Sequence, residues 1–364
     1  MINKRIERKK ALDFSDKLLS WHQNINRGLP WVGIKDAYRI WLSEIILQQT
    51  RVEQGLPYYQ QFIRRFPTVR SMAEATEDDV LRLWQGLGYY SRARNMYYTA
   101  GMVTQQYRGK FPTSYDELIK LKGIGAYSAA AIASFAANEP RAVVDGNVVR
   151  VLARVFGLSI DYQRSEGKKL FSHVAQQLLP VEKAGRYNQA IMDFGALQCV
   201  PRGPECGSCV MERICYASRK KQVARLPVKR KKHELKKRYL HFFIICHQDE
   251  VLIEQRTAKD IWKGLYQFPL IETEAETPFN ELLQSDKAKS LGLEAMQGMK
   301  DINRHKQKLS HQELHFTVYQ LWCRSNTFNT LARQYMAVPA IHLKKYSFPK
   351  TLAYYTDISL YSIK

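Results

Sequence analysis

Four cysteines, Cys199, Cys206, Cys209 and Cys215, fall in one short stretch as C-x6-C-x2-C-x5-C. Four thiolates held so close can wrap around one metal centre, and few other demands constrain a loop so tightly. Thiolate is the soft ligand that iron–sulfur clusters and zinc both accept. Two disulfides or four unrelated buried cysteines are the bland alternatives. Structural zinc usually shows two close ligand pairs with a longer interval between them. Here one close pair is flanked by single cysteines at medium range, which favours a 4Fe–4S cube. Spacing alone leaves the choice open.

The same chain carries a formal net charge of +22 over 364 residues. A surplus of that size predicts a polyanionic partner and electrostatic steering towards it. A hydrophobic content of 45% and a charged content of 25% are ordinary for a globular protein. The length suggests about two domains. No apolar run is long enough for a bilayer, and the N-terminus MINKRIERKK has no signal-peptide core. The two remaining cysteines, Cys246 and Cys323, are scattered. Cysteine usage of this kind fits a reducing cytoplasm rather than a disulfide framework.

The pattern along the chain changes once. Residues from about 10 to 218 read as helical: Ala11, Phe14, Leu18 and Leu19 recur at helical spacing. Tyr38 to Leu47 is apolar enough for a buried helix, and Asp78 to Trp84 suggests another that stops at Gly86 and Gly88. Residues 219–238 then hold eleven Lys and Arg against one acid, Glu234, and read as a basic linker that could also follow phosphates. From Tyr239 the text is aromatic and β-branched. Strands are expected over 239–246, 251–253 and 314–322, with Leu314, Phe316, Val318 and Trp322 on one face and Tyr319 and Leu321 on the other. The fold class is therefore an all-α domain, 1–218, joined through 219–238 to an α/β domain, 239–364.

Leu121 to Ala129 reads L-K-G-I-G-A-Y-S-A. Gly123 and Gly125 allow a tight turn between helices with unobstructed backbone amides, suited to a DNA phosphate. About twenty residues on stands V-V-D-G-N-V, containing Asp145 and Asn147. Upstream, W-L-S-E-I-I-L-Q-Q-T sets Glu44 among Trp41, Leu42, Ile45, Ile46 and Leu47. A carboxyl there is expensive to ionise, so its pKa should rise to where a general acid works near neutral pH.

These blocks, with the cysteine loop, resemble the endonuclease III superfamily of helix–hairpin–helix DNA glycosylases. Within it the chain resembles the MutY family of adenine DNA glycosylases, which remove adenine mispaired with 8-oxoguanine. The likeness extends over G-L-G-Y-Y-S-R-A-R-N and Y-N-Q-A-I-M-D-F-G-A and spans most of the chain. Against the pattern L-P-G-V-G-x-x-T-A, this chain has Lys122 for Pro, which adds a candidate phosphate contact, and Ser128 for Thr. Val32 stands where some relatives have a polar side chain. The resemblance implies a 4Fe–4S cluster on Cys199, Cys206, Cys209 and Cys215. It implies that Glu44 protonates N7 of a flipped adenine and that ionised Asp145 balances the oxocarbenium ion, with Tyr127 and Asn147 orienting both. Bifunctional members hold a lysine where Tyr127 stands; a phenol forms no imine, so the chain should hydrolyse the glycosidic bond and stop. Gln49 and Tyr89 match positions near the lesion pair, Tyr89 as a wedge that favours extrusion. Trp31 and Gln189 match pocket-lining positions.

W-K-G-L-Y-Q-F-P, Trp262 to Pro269, resembles a segment of the family's C-terminal Nudix-like domain. The Glu-rich Nudix catalytic pattern is not found: Glu272, Glu274 and Glu276 lack its arginine and spacing. Leu309, Ser310 and His311 resemble the F-S-H loop that probes the oxidised base, with Leu309 in place of the aromatic residue. Ser310 can donate or accept at the 8-oxo and N7 edge. The expected partner is double-stranded DNA with adenine opposite 8-oxoguanine or guanine, met by a monomer in the cytoplasm at the nucleoid, with no membrane. Two other readings remain: a bifunctional endonuclease III-like enzyme on oxidised pyrimidines, and a non-catalytic iron–sulfur DNA-binding protein.

Overall fold

The computed structural model describes residues 5–228 and 234–357, with the backbone alone for 299–302. Two compact units emerge: Met1–Ala75 with Asn95–Lys231, and Thr76–Arg94 with Lys232–Lys364. Residues 76–94, read above as part of the helical half, thus group with the second unit. The reason is visible in their partners. Arg82 Nη1 donates to the Lys345 carbonyl, Gln85 Nε2 to Phe348 and Ser347 Oγ to Asp78. Part of the expected linker, residues 229–233, lies outside the described residues. Its end is corrected: Lys236, Lys237 and Arg238 already belong to a strand.

Every regular element of the first unit among the described residues is helical. Ala37–Ile46 is buried on nearly all sides, which its almost unbroken apolar text requires. Asp36 caps it by accepting from the Arg39 amide at 3.1 Å. Ala126–Ala137 is built mostly of small residues. Small side chains let neighbours come close, and glycines on Ala184–Leu197 allow two such approaches. A Cβ on Gly185 would lie 2.4 Å from the Ser134 carbonyl oxygen, and one on Gly195 would lie 2.6 Å from Asn147 Cβ. The core joins Phe14, Leu18 and Leu19 of Arg8–His22 to Val151, Leu152 and Val155 of Gly146–Phe156 and to Phe171, Ile191 and Phe194.

The second unit is built on a seven-stranded mixed sheet. Its strands are β1 Lys236–His247, β2 Glu250–Gln255, β3 Tyr266–Gln267, β4 Leu270–Thr273, β5 Gln297–Lys308, β6 Gln312–Trp322 and β7 Met336–Pro339. The order is β3-β2-β1-β6-β5, with β4 on β1 and β7 on β2. β1 and β6 run parallel from the Lys236–Gln312 pair to Cys246–Trp322. Leu314, Phe316 and Val318 pack into one core with Trp322 against it, while Tyr319 and Leu321 pack into another, as their alternation predicts. β5 was not foreseen. Its text, Q-G-M-K-D-I-N-R-H-K-Q-K, shows no apolar alternation, and it forms by antiparallel pairing with β6.

Gly195→Ala should lower stability by about 1–3 kcal/mol, because the added methyl must displace the start of the 146–156 helix. Chemical denaturation measures this, and an unchanged midpoint would show that the two helices can move apart freely.

Candidate active site

Glu44 lies on the third turn of Ala37–Ile46 and is 9% exposed. Burial pushes its carboxyl up to about 7; the Tyr127 phenol, donating to it, pulls the other way, and the Asp145 charge pushes further up. Tyr127 comes from the first turn of Ala126–Ala137, after the turn that Gly123 makes at φ +79°. Burial, then the charges of Glu44 and Asp145, raise the phenol well above its ordinary value, so it stays protonated and donates.

Asp145 is the N-cap of Gly146–Phe156. Its Oδ1 accepts from the Val148 amide at 2.7 Å and its Oδ2 from Asn147 Nδ2 at 2.8 Å. Burial raises its pKa, and the bonds from Val148 and Asn147 and the Arg150 charge oppose the rise. Capping and chemistry are compatible here, since a helix N-terminus favours the anion. Asn147 is held in turn: Arg150 Nη2 donates to its Oδ1 at 2.8 Å and to the Gly195 carbonyl at 2.6 Å, and Arg150 Nε donates to the Cys199 carbonyl at 2.7 Å.

Glu44, Gln49, Trp31, Tyr127, Asp145, Asn147 and Gln189 line one cavity of about 340 Å³. Trp31 packs edge-on against Tyr59, ring centres 5.0 Å apart. Gln49 is exposed with φ +56°. Val32 is not part of the lining. Polar residues that sequence reasoning missed there or beside it include Arg27 and Asp193 in the wall, and His22 bonded to Asp193. Gly125 leaves open space where a Cβ would stand. Lys122 holds its ammonium 3.9 Å from the centre of the Tyr98 ring, a cation–π contact within the protein.

Cys199, Cys206, Cys209 and Cys215 line one small cavity, and none is in a disulfide. Arg154 Nη1 donates to Cys199 Sγ and the Met211 amide to Cys209 Sγ, both at 3.4 Å. Four cysteines on one cavity, with donors aimed at two of the sulfurs, have the donor chemistry of a thiolate-bound centre. Among the described residues, no three His, Cys, Asp or Glu side chains are grouped tightly enough for a single metal ion.

In the second unit, Tyr89, Leu309, Ser310 and His311 line a cavity of about 490 Å³ with Trp262. The hydroxyls of Tyr89 and Ser310 are hydrogen-bonded. Glu272 sits on β4, where its carboxylate receives Arg238 Nε at 2.6 Å. Arg238 also reaches Asp260, and so does Arg256.

A helical unit built around a capped aspartate and a glycine turn is joined in the chain to a mixed-sheet unit, and the family matches give the class: a base excision DNA repair protein. Residues 42–177 match the model of the HhH-GPD superfamily of base excision DNA repair proteins, and residues 240–356 match a NUDIX domain. The chain is 40% identical over 267 residues to the adenine DNA glycosylase of Buchnera aphidicola from Schizaphis graminum, covering 72% of this chain and 76% of that one. It is 36% identical over 307 residues to the enzyme of the same name from the Baizongia pistaciae symbiont, covering 84% and 85%. A solved thermostable thymine-DNA glycosylase superposes with a TM-score of 0.54 at 28% identity, over 58% of this chain and 98% of that one. The chain belongs to the adenine DNA glycosylase family.

A raised carboxyl pKa binds its proton more tightly in the folded state. That favours folding fully below the ordinary glutamate value and is lost as pH rises to about 7. Glu44→Gln should therefore stabilise the protein at pH 8 by on the order of 1–3 kcal/mol, with little gain at pH 5. Melting curves at the two pH values test this; an equal effect at both would show that Glu44 carries no buried charge.

Proposed function

We propose that the chain excises adenine opposite 8-oxoguanine, or opposite guanine, by hydrolysis in the Glu44 cavity. As a member of its family it is an adenine DNA glycosylase, a hydrolase of N-glycosyl bonds in base excision repair. The observation that carries the finer reading is the pairing of two carboxyls with different surroundings in one cavity. Glu44 is desolvated and bonded by a phenol; Asp145 is desolvated but held by a helix amide and Asn147. Glu44, protonated near neutrality, gives its proton to N7 of an extruded adenine and makes the base a better leaving group. Asp145 balances the positive charge left on the sugar. Glu44, now a carboxylate, takes a proton from the attacking water. Tyr127 keeps Glu44 in place and offers no amine, so the strand stays intact.

Double-stranded DNA is the substrate, which the charge of +22 favours. The open side of Gly125 leaves room for a phosphate at the start of the Ala126–Ala137 helix. The four cysteines would hold a 4Fe–4S cluster, which would supply a rigid anchor for their loop. In the second unit, Ser310, with His311 and Tyr89, reads the oxidised base; the Ser310 hydroxyl can match either edge that distinguishes it from guanine.

Single-turnover assays on adenine opposite 8-oxoguanine should show strand breaks only after hot alkali. Glu44→Gln and Asp145→Asn should each lose excision while still binding the duplex. Breaks without alkali, or wild-type rates in both variants, would refute the assignment. Purified protein should contain iron and absorb in the visible, and Cys206→Ser should lose both; one zinc and no iron would replace the cluster reading. Ser310→Ala should reduce the preference for 8-oxoguanine over guanine by about fivefold, the worth of one hydrogen bond. Equal ratios in the two proteins would assign lesion reading elsewhere.

A further inference from the structure

We propose that β5 carries a phosphate-binding stripe, Arg304, Lys306 and Lys308, which follows the backbone of a DNA strand away from the Ser310–His311 tip. The inference rests on the reading that this tip meets the oxidised base. β5 lies at one end of the strand order and pairs with β6. Alternate residues of a strand face opposite sides of the sheet. The odd-numbered side chains turn inward: the His305 ring stacks on Phe316 with centres 4.6 Å apart, and Gln307 Oε1 accepts from the Thr351 hydroxyl at 2.7 Å. Arg304, Lys306 and Lys308 therefore share the other face, and all three are exposed.

Their neighbours keep that face positive. Across the ladder stand Thr317, His315 and Glu313 of β6. One strand further on, Lys237 lies opposite Glu313, and Tyr239 lies opposite His315 with ring centres 4.6 Å apart. The apolar cover of this face is gathered at its other end, on Phe243, Tyr319 and Leu321. Glu313 is shared by Lys308 at 3.5 Å and His315 at 2.9 Å. Burial, then the Arg304 charge, push the His241 imidazole down to about 4, against the pull of Glu276. Four cations, Lys237, Arg304, Lys306 and Lys308, thus stand against Glu313 and Glu276.

The spacing suits a nucleic acid backbone. From Arg304 to Lys308 a strand advances by about 14 Å, at about 3.4 Å per residue. One strand of a duplex carries a phosphate about every 3.4 Å along the axis, so the stripe spans about four nucleotides. It begins where the tip ends, because Lys308 directly precedes Leu309. Contacts to phosphate fix register and orientation without reading a base. The stripe therefore adds affinity whatever stands opposite the adenine, and Ser310 supplies the discrimination. Lysines on an edge strand have another use, which is to deter pairing with the edge of a second copy. That role requires no DNA.

The full-length protein should be titrated, over a range of salt, with duplexes holding adenine opposite 8-oxoguanine or guanine. A 2′-fluorine on the adenosine sugar disfavours positive charge there and keeps the substrate intact. Arg304→Gln with Lys306→Gln should flatten the slope of log affinity against log salt by about 1.8, and weaken binding about tenfold near 0.1 M salt, equally for both duplexes. Arg304→Lys with Lys306→Arg keeps the charges and should keep the slope. Neutral methylphosphonates, placed singly along the 8-oxoguanine strand, should weaken wild-type binding within about four nucleotides on one side of the lesion. The same substitutions should cost the glutamine variant nothing further. An unchanged slope, or equal methylphosphonate losses in the two proteins, overturns the proposal. So does a glutamine variant that self-associates with its salt slope intact, which would assign the cations to guarding the edge. If the double variant does not fold, Lys306→Gln alone decides: a slope flatter by about 0.9 supports the stripe, and an unchanged one ends it. Ser310→Ala run alongside separates the two layers. A flattened slope in the glutamine variant, with an unaltered 8-oxoguanine preference in Ser310→Ala, would keep the stripe and remove the tip reading; the reverse pair of results would remove the stripe alone.

Discussion

Arg150 ties together the parts that must not drift. One guanidinium binds the Asn147 side chain and the carbonyls of Gly195 and Cys199, while its own helix starts at the Asp145 cap. It thereby fixes the beginning of one helix, the end of another and the first residue of the cysteine loop. Arg150 is partly desolvated, and burial lowers its pKa, with the Asp145 charge among the effects that counter it. A flexible ammonium could not make these bonds at once, because they use the planar fork of the guanidinium. Asp145 takes its orientation from Asn147, and Asn147 takes its own from Arg150.

Burial raises the pKa of both carboxyls in this cavity, but their partners differ. Glu44 has one phenolic donor and little water, so its neutral form is favoured. Asp145 is also desolvated, yet it collects a helix amide and an amide side chain. Those donors are preorganised by the helix and need no rearrangement when charge develops nearby. Tyr127 adds a proton that neither carboxyl can remove.

Much of this was legible in the text of the chain, because the informative residues sit in short, unusual strings. Glu44 among Trp41, Leu42 and Ile45 announced a buried acid, and the structure shows its carboxyl pushed up by that burial. The alternation of Leu314, Phe316 and Val318 against Tyr319 and Leu321 announced a strand buried on both faces. What escaped was non-local. His22 and Arg27 meet Asp193 across 171 and 166 residues, and no local period encodes such a meeting. Asp193 could have been noticed as the single acid of the Ala184–Leu197 helix, four residues after Gln189. β5 escaped because its partner, not its own composition, makes it a strand. Thr76–Arg94 escaped because helical text says nothing about which unit a helix will join.

The hairpin of β5 and β6 has a further consequence. The Lys308–Glu313 pair closes it, and the Leu309 amide donates to the Gln312 carbonyl at 2.8 Å. Ser310 and His311 are therefore the tip of a ladder whose β6 rail is clamped along its length by β1. Most of their backbone freedom was surrendered when the sheet formed. Any group that met them would gain contacts without also having to order a loop, so little entropy of closure would be spent there.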